Sequence, residues 1–243
     1  MNLIELSKYL QDEQAAENYL YKKGILKKYT ECHHCGFDKL GHLSRNRIKC
    51  YKCKKEWHKR KGSFLEGKQI SCSKFIAFLK LYAEEIGVNR ITDELELDKK
   101  TVIFIHSSIR QLIVKELHHS NNPKKLKAFI WMNKDKIEID FDRPPSAGMH
   151  ESANYFELDF SRYKEYGNLY SFLVNSKWIG KKQHHYKMLD RFLGFLKMKL
   201  ISYRGLKVEY FIDFLLELII KFNNRDKIFY EEVLEILQNS KGG

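Results

Sequence analysis

Apolar residues recur every three or four positions along several stretches of the chain, a spacing that places them on one face of a helix. The clearest stretch begins after Ser71 or Ser73, either of which can cap a helix, and ends at Gly87, which can stop one. Its apolar positions are Phe75, Phe78, Leu79, Tyr82, Ala83 and Ile86. The pattern predicts a helix with one buried face.

Two further helices follow, separated by a short turn. Val88 to Leu95 predicts the first, Glu96-Leu97-Asp98 the turn, and a longer helix runs from Lys99 to about Leu117. A short helix, a tight turn and a longer helix that opens with polar and basic residues are typical of a DNA-reading helix-turn-helix. The predicted DNA contacts are Lys99, Lys100 and Thr101, with Arg110 a candidate backbone contact. A plain three-helix bundle that contacts another protein is the alternative.

The second half of the chain mixes strand and helix patterns. Lys136 to Asp140 alternates as a half-buried strand does. The stretch from about Tyr210 to Phe222 is almost continuously apolar, which indicates a deeply buried helix or a subunit interface. Tyr230 to Leu237 predicts an amphipathic last helix. The expected fold class is therefore α+β and mostly helical.

Composition narrows the class of protein. The 243 residues are 43% hydrophobic and 14% aromatic, enough to pack one large domain or two to three small ones. A net charge of +13 favours a polyanionic partner, most commonly nucleic acid, although ribosome-associated and membrane-surface proteins share this property. No signal peptide and no spanning segment is apparent, so we expect a cytoplasmic, nucleoid-associated protein with reduced cysteines.

Four of the five cysteines form two matched pairs. Cys32-x-x-Cys35 and Cys50-x-x-Cys53 are separated by 14 residues, which a short hairpin can close around one tetrahedral zinc ion. Gly36 supplies the positive φ that the turn after such a pair often needs. Four nearby histidines could replace a cysteine ligand, but nothing requires them: His33, His34, His42 and His58. Cys72 is expected to be a core thiol.

Basic residues surround these cysteines at high density. Such a cluster on a small rigid module indicates phosphate contacts, although a run of charges is often only a solvated face. The predicted DNA contacts in this region are Arg45, Arg47, Lys54, Lys55, Lys59, Arg60 and Lys61.

The order of these motifs resembles that of insertion-sequence transposases with a zinc ribbon and an ISXO-type DDE catalytic domain. The segment Lys61 to Lys68 lies between the ribbon and the helix-turn-helix, where that family has a Gly-Thr-Ile-Phe-Glu-like segment. Phe222-Asn223-Asn224-Arg225 matches the family's closing signature. The resemblance implies an RNase H-like domain. In it, two aspartates and a third residue hold two Mg²⁺ or Mn²⁺ ions that activate the nucleophile for attack on phosphate.

Carried onto this chain, the resemblance places the catalytic residues at Asp140, Asp159 and Asp190. Only 18 residues separate the first two, far fewer than in the family, and Lys187 stands where the family commonly has asparagine. Two arrangements stay open. A parallel crossover would put Asp140 and Asp159 on neighbouring strands. Alternatively, Phe129–Met132 and Ile137–Phe141 form a hairpin, the family's first aspartate is missing and the site is inactive.

These patterns divide the chain into an N-terminal helical segment (1–28), a zinc ribbon (29–68), a helix-turn-helix domain (69–120) and a reduced RNase H-like domain with C-terminal helices (124–243). The expected function is recognition of double-stranded DNA by a domesticated or catalytically degenerate transposase relative. An active DDE transposase is the alternative, and a ribbon module of transcription or translation is a third. The protein is expected to form a homo-oligomer or to join a larger DNA-bound assembly, without a membrane partner.

Overall fold

A computed structural model describes residues 1–117, 127–141, 143–145, 155–179, 187–202, 210–225 and 229–239. Its helices are α1 (Leu3–Gln11), α2 (Glu13–Lys22), α3 (Cys72–Ala83), α4 (Val88–Leu95), α5 (Lys99–Leu117), α6 (Leu169–Val174), α7 (Lys187–Ser202), α8 (Phe211–Asn223) and α9 (Phe229–Asn239). Its strands are β1 (Leu40–Leu43), β2 (Arg47–Cys50), β3 (Glu56–His58), β4 (Lys127–Asn133), β5 (Lys136–Asp140), β6 (Tyr155–Asp159) and β7 (Lys177–Ile179). The expected α+β, mostly helical class is confirmed.

Chain contacts divide the protein into two compact units. The first comprises Met1–Leu112 together with α9, and the second comprises the described residues between Ile113 and Asp226. Helix α9 therefore packs with α3, whereas the order of motifs in the sequence predicts it in the domain 124–243. Its buried side chains include Tyr230, whose hydroxyl lies 3.3 Å from that of Tyr19 on α2. The amphipathic character predicted for this helix is confirmed.

Side-chain caps fix where the helices of the first unit begin. Asn2 and Glu5 form a reciprocal capping box on α1, and Asp12 accepts hydrogen bonds from two amides at the start of α2. Ser71 caps α3, as expected, and Asp98 accepts hydrogen bonds from the amides of Lys100 and Thr101 in α5. Helices α1 and α2 both pack against α3.

The bounds predicted for α4 and for the start and end of α5 are confirmed. The end of α3 differs from the prediction, because Glu85 and not Gly87 takes the left-handed conformation, with φ 60°. The amide of Ile86 bonds the carbonyl of Leu81 at 3.0 Å and closes the helix. Gly87 instead lies at the N-cap of α4. Tyr82 of α3 packs edge-on against His106 of α5, with ring centroids 4.8 Å apart.

The second unit is built on a sheet with strand order β5-β4-β6-β7, and every pairing in it is antiparallel. A hairpin with the turn Lys134-Asp135 joins β4 to β5, so the hairpin prediction is confirmed. Alternate strand residues such as Ala128, Ile130 and Phe156 share one buried cluster with apolar residues of α6, α7 and α8. The nearly continuous apolar stretch is therefore buried in α8.

None of the described helices combines the length and the apolar character that crossing a bilayer requires.

Candidate metal centre and nucleic-acid surface

Four cysteine sulfurs converge at one point of the first unit. The Sγ atoms of Cys32 and Cys53 are 3.7 Å apart, those of Cys35 and Cys50 are 3.6 Å apart, and all four lie within 4.8 Å of one another. Sulfurs at the corners of a tetrahedron around zinc, each about 2.3 Å from the ion, would be separated by about 3.8 Å. The four cysteines therefore fit a structural zinc ion, as their sequence spacing predicts.

The two cysteine pairs have matching backbone turns. The amide of Gly36 bonds the carbonyl of Cys32 at 2.8 Å, and the amide of Lys54 bonds that of Cys50 at 3.0 Å. Gly36 has φ 69°, as predicted, and Lys54 reaches φ 62° at the equivalent position. This turn directs amides at sulfur, since the amide of His34 lies 3.4 Å from Cys32 Sγ. Amide donors stabilise a thiolate, the form that binds metal.

Strands β1 to β3 form an antiparallel sheet beside this cluster. Ile48 and Trp57 lie directly opposite each other on β2 and β3, and both are buried against the cysteines. Tyr29 packs on Trp57 with ring centroids 5.5 Å apart and donates a hydrogen bond to the carbonyl of Lys61 at 2.6 Å. This core has few apolar residues, so a zinc ion bound by the four cysteines would add to its stability.

Within the part of the chain that the structure describes, no other group of histidines, cysteines and acids can hold a metal ion. His33 packs edge-on against Trp57, 4.6 Å between ring centroids, and is not grouped with the sulfurs. Cys72 is a buried thiol, as expected, and its burial, which is the largest cause, raises its pKa to about 11. It is therefore a core residue and not a ligand.

The cysteine module is the segment 29–61, which contains the four cysteines and strands β1 to β3. Exposed cations surround it. Arg45, Lys54 and Lys55 are exposed, and none of them forms an ion pair with any residue that the structure describes. Arg47 is exposed as well but lies 3.4 Å from Glu56, which also pairs with Lys49 at 3.3 Å. Three of the seven basic residues predicted in this region thus lack an acidic partner among the described residues, and the Lys55 ammonium lies 3.5 Å from His34 Nδ1.

The other three have less exposed positions, and two of them bind elsewhere in the protein. Lys59 lies 2.7 Å from the buried Glu17 of α2. Arg60 donates to the carbonyls of Lys68 and Ile70 at 3.2 and 2.7 Å, and to Cys72 Sγ at 3.6 Å. Both side chains therefore tie the cysteine module to the helices around α3, a role that basic residue density could not reveal. Lys61 is half-buried.

Lys99 and Lys100 are exposed in the first turn of α5, and neither forms an ion pair within the described ranges. Thr101 is half-buried, and its amide is held by the Asp98 cap at 3.2 Å. The turn before α5 is tight because Glu96 adopts the left-handed conformation, with φ 48°. The predicted contacts therefore lie at the exposed start of a long helix, and Arg110 lies further along it.

The structure does not bring Asp140, Asp159 and Asp190 together. Asp140 ends β5 and Asp159 ends β6, and β4 runs between these two strands, so the neighbouring placement through a parallel crossover is not found. Both are paired with residues on the face of the sheet opposite the apolar cluster. Asp190 is exposed on α7, which packs against the other face.

A lysine pairs with the two acids Glu157 and Asp159 of β6. Lys127 Nζ lies 2.7 Å from Glu157 Oε1 and 3.9 Å from Asp159 Oδ2, at the edge of a cavity of about 190 Å³. The Ser161 hydroxyl, which donates to Asp159, is the largest cause of the lowered pKa of that carboxyl. Asp140 accepts a hydrogen bond from the Arg143 amide at 3.0 Å. Both aspartates therefore have local structural partners.

Two contacts that the sequence does not predict help to position these elements. Glu13 of α2 accepts hydrogen bonds from the amides of Cys72 and Ser73, at 2.6 and 2.9 Å, and so caps α3 from another helix. Asn223 at the end of α8 donates to the carbonyl of Ile137 at 2.8 Å and accepts from its amide at 2.7 Å. Neither contact leaves a local sequence signal, because 59 and 86 residues separate the partners.

No known family model, curated protein or solved structure matches this chain.

Proposed function

We propose that this chain is a DNA-binding protein, related to transposases but without their catalysis, that contacts duplex DNA through the cysteine module and the start of α5. One observation carries the proposal. Exposed cations that form no ion pair with any described residue lie on two elements of the first unit. The cysteine module carries Arg45, Lys54 and Lys55, and the start of α5 carries Lys99 and Lys100. Unpaired lysines and arginines on rigid elements are what phosphate contacts require.

The geometry of α4 and α5 supports duplex DNA as the ligand. Their connection is three residues long, from Glu96 to Asp98, and α5 is more than twice as long as α4. A helix after such a turn can enter the major groove with its N-terminal residues towards the bases. Two exposed lysines at this position fit a protein-binding surface less well than a DNA-binding one, because lysine is depleted in protein interfaces.

The relation to transposases is supported by the order of motifs in the sequence. It is a proposal about ancestry, and the absence of catalysis is a separate one. Two-metal chemistry needs carboxylates that converge on the ions. Among the described residues, Asp140 and Asp159 lie on strands separated by β4, and Lys127 pairs with Glu157 and Asp159. A non-catalytic derivative therefore agrees with the geometry better than an active enzyme.

The salt dependence of DNA binding tests this proposal. Zinc-loaded full-length protein should bind a fluorescein-labelled random-sequence duplex, and a plot of log affinity against log salt concentration should have a steep negative slope. Each lost phosphate contact should reduce that slope by about 0.9. The double variant Lys54→Ala, Lys55→Ala should therefore flatten the slope by roughly 2 and weaken binding to all sequences alike.

The matched control is the double variant Lys8→Ala, Lys22→Ala, which removes the same charge from exposed positions of α1 and α2. It should keep the wild-type slope to within about 0.5, since it removes no contact. An affinity that does not change with salt, or equal slopes for both double variants, would contradict the proposed contact surface.

A further inference from the structure

Helix α5 presents two large apolar side chains to solvent near its start. Ile103 is 45% exposed and Phe104 is 57% exposed, whereas Val102 and Ile105 beside them are fully buried. The buried positions of α5 recur at helical spacing and define its inner face, so Ile103 and Phe104 belong to the opposite face. An aromatic and a branched aliphatic side chain exposed together on one helix indicate a surface that a ligand covers.

Positive charge surrounds this apolar pair. Lys99 and Lys100 precede it by one helical turn and lie on the same side of α5. Lys68 Nζ lies 5.3 Å from the centre of the Phe104 ring and 4.1 Å from that of Phe64. A ligand that covers Phe104 must therefore accept apolar contact in the middle and cations at the edge.

We propose that Ile103 and Phe104 contact thymine methyl groups in the major groove and so give the protein a preference for sites with thymine at these positions. This inference rests on the proposed DNA binding and specifies which side chains read the sequence. The thymine methyl is the apolar group that base pairs present in the major groove, and apolar side chains recognise it by contact. Lys99 and Lys100, at the rim, contact phosphates in this arrangement.

A protein partner fits the same surface less well. Protein interfaces are depleted in lysine at their cores, and three lysines border this apolar pair. A polyanion whose grooves also present methyl groups matches both features. The net charge of +13 on the whole chain points in the same direction.

Lys68 acts as a positioning residue for the Phe104 ring. Its ammonium lies over both Phe64 and Phe104, and it donates a hydrogen bond to the carbonyl of Phe64 at 2.6 Å. Phe64 packs against Phe75 of α3, with ring centroids 5.6 Å apart. The Phe104 ring is thus positioned before DNA binds, so binding loses less side-chain conformational entropy.

The test begins with zinc-loaded full-length protein and selection of bound duplexes from a randomised DNA library. The selected duplex is then made a second time with deoxyuridine in place of thymidine, which removes the methyl groups and keeps every hydrogen-bonding group. Wild type should bind the deoxyuridine duplex about fourfold more weakly for each contacted methyl. The double variant Ile103→Ala, Phe104→Ala should bind the two duplexes equally, and Tyr170→Ala, an exposed aromatic on α6, should behave like wild type.

Equal affinity of wild type for the two duplexes, together with an unchanged selected sequence for Phe104→Ala, would overturn the inference and leave DNA binding intact. Absence of any duplex binding by wild type would overturn the proposed function and this inference together. Concentration-dependent self-association that Phe104→Ala abolishes, without any change in DNA affinity, would assign the surface to a second copy of the chain and also overturn the inference.

Discussion

At the residue scale, Asn223 shows how a sequence motif can have a structural and not a catalytic role. Its amide makes two hydrogen bonds with the backbone of Ile137 in β5, one of the two edge strands of the four-stranded sheet. A side-chain amide thus stands in for the missing neighbouring strand at one position of this edge. Arg225 of the same signature donates to the carbonyl of Phe222 at 3.0 Å and lies over its ring.

Replacement of Asn223 by alanine should lower the free energy of unfolding of the second unit by about 1–3 kcal/mol, because two backbone groups lose their partner. Asn224→Ala, one residue later at the C-cap of α8, is the matched control and should change it by less than about 0.5 kcal/mol. Urea unfolding followed by far-UV circular dichroism measures both. Equal stabilities for the two variants would mean that the contact with Ile137 contributes nothing.

Residue roles were predictable where chemistry dictates spacing. Two CxxC pairs identify ligands because only a small set of spacings can bring four sulfurs to one ion. Arg60 could not be assigned in the same way. Its partners are the carbonyls of Lys68 and Ile70 and the sulfur of Cys72, and a sequence does not show whether an arginine faces solvent or caps a neighbouring segment.

At the scale of elements, helix bounds were predictable because local signals set them. Asp98 begins α5 through its carboxylate, and the bounds of α4 follow from its apolar spacing. The end of α3 was placed too late, since the expected stop was a glycine, and Glu85 takes the left-handed position instead. Strand order in the second unit depends on contacts between distant segments, which no local pattern encodes.

The turn between α4 and α5 holds a strained residue. Glu96 has φ 48°, a conformation that costs an L-residue about 1–2 kcal/mol and costs glycine almost nothing. Glu96→Gly should therefore raise the free energy of unfolding of the first unit by about 0.5–1 kcal/mol, after the larger chain entropy of glycine is counted.

Asp93→Gly is the control for this change. It introduces glycine at an exposed right-handed position inside α4 and should destabilise the unit by about 0.5–1 kcal/mol. Thermal unfolding of both variants gives the comparison. Destabilisation by Glu96→Gly would show that the glutamate side chain contributes more than the strain costs.

At the scale of the whole molecule, the division of the chain was only partly predictable. The sequence patterns predict a DNA-binding half and a C-terminal half, but α9 joins the first unit through contacts with α3 and through Lys23, 3.1 Å from Glu231. The amino-acid composition does not show that the chain returns to the first unit at α9, after the second unit. The first unit thus combines the cysteine module, helices α3 and α4, the part of α5 up to Leu112 and both ends of the described chain.

The cysteine module is joined to the helices of this unit by specific polar contacts. Lys59 pairs with Glu17 of α2, and Arg60 reaches the residues that lead into α3. Loss of the metal should therefore disturb more than the module itself, because the cations of the module and the start of α5 belong to one compact unit. Zinc and DNA affinity should be linked.

The most direct test is the zinc dependence of DNA affinity, measured by fluorescence anisotropy on full-length protein of known metal content. Elemental analysis should find one zinc per chain, and removal of that zinc should reduce duplex affinity at least about tenfold, with recovery when zinc is restored. Cys50→Ser should reproduce the loss, and Cys72→Ser, which alters a thiol outside the cluster, should keep the zinc. Folded protein without zinc that binds DNA as tightly as the zinc-loaded form would contradict the account.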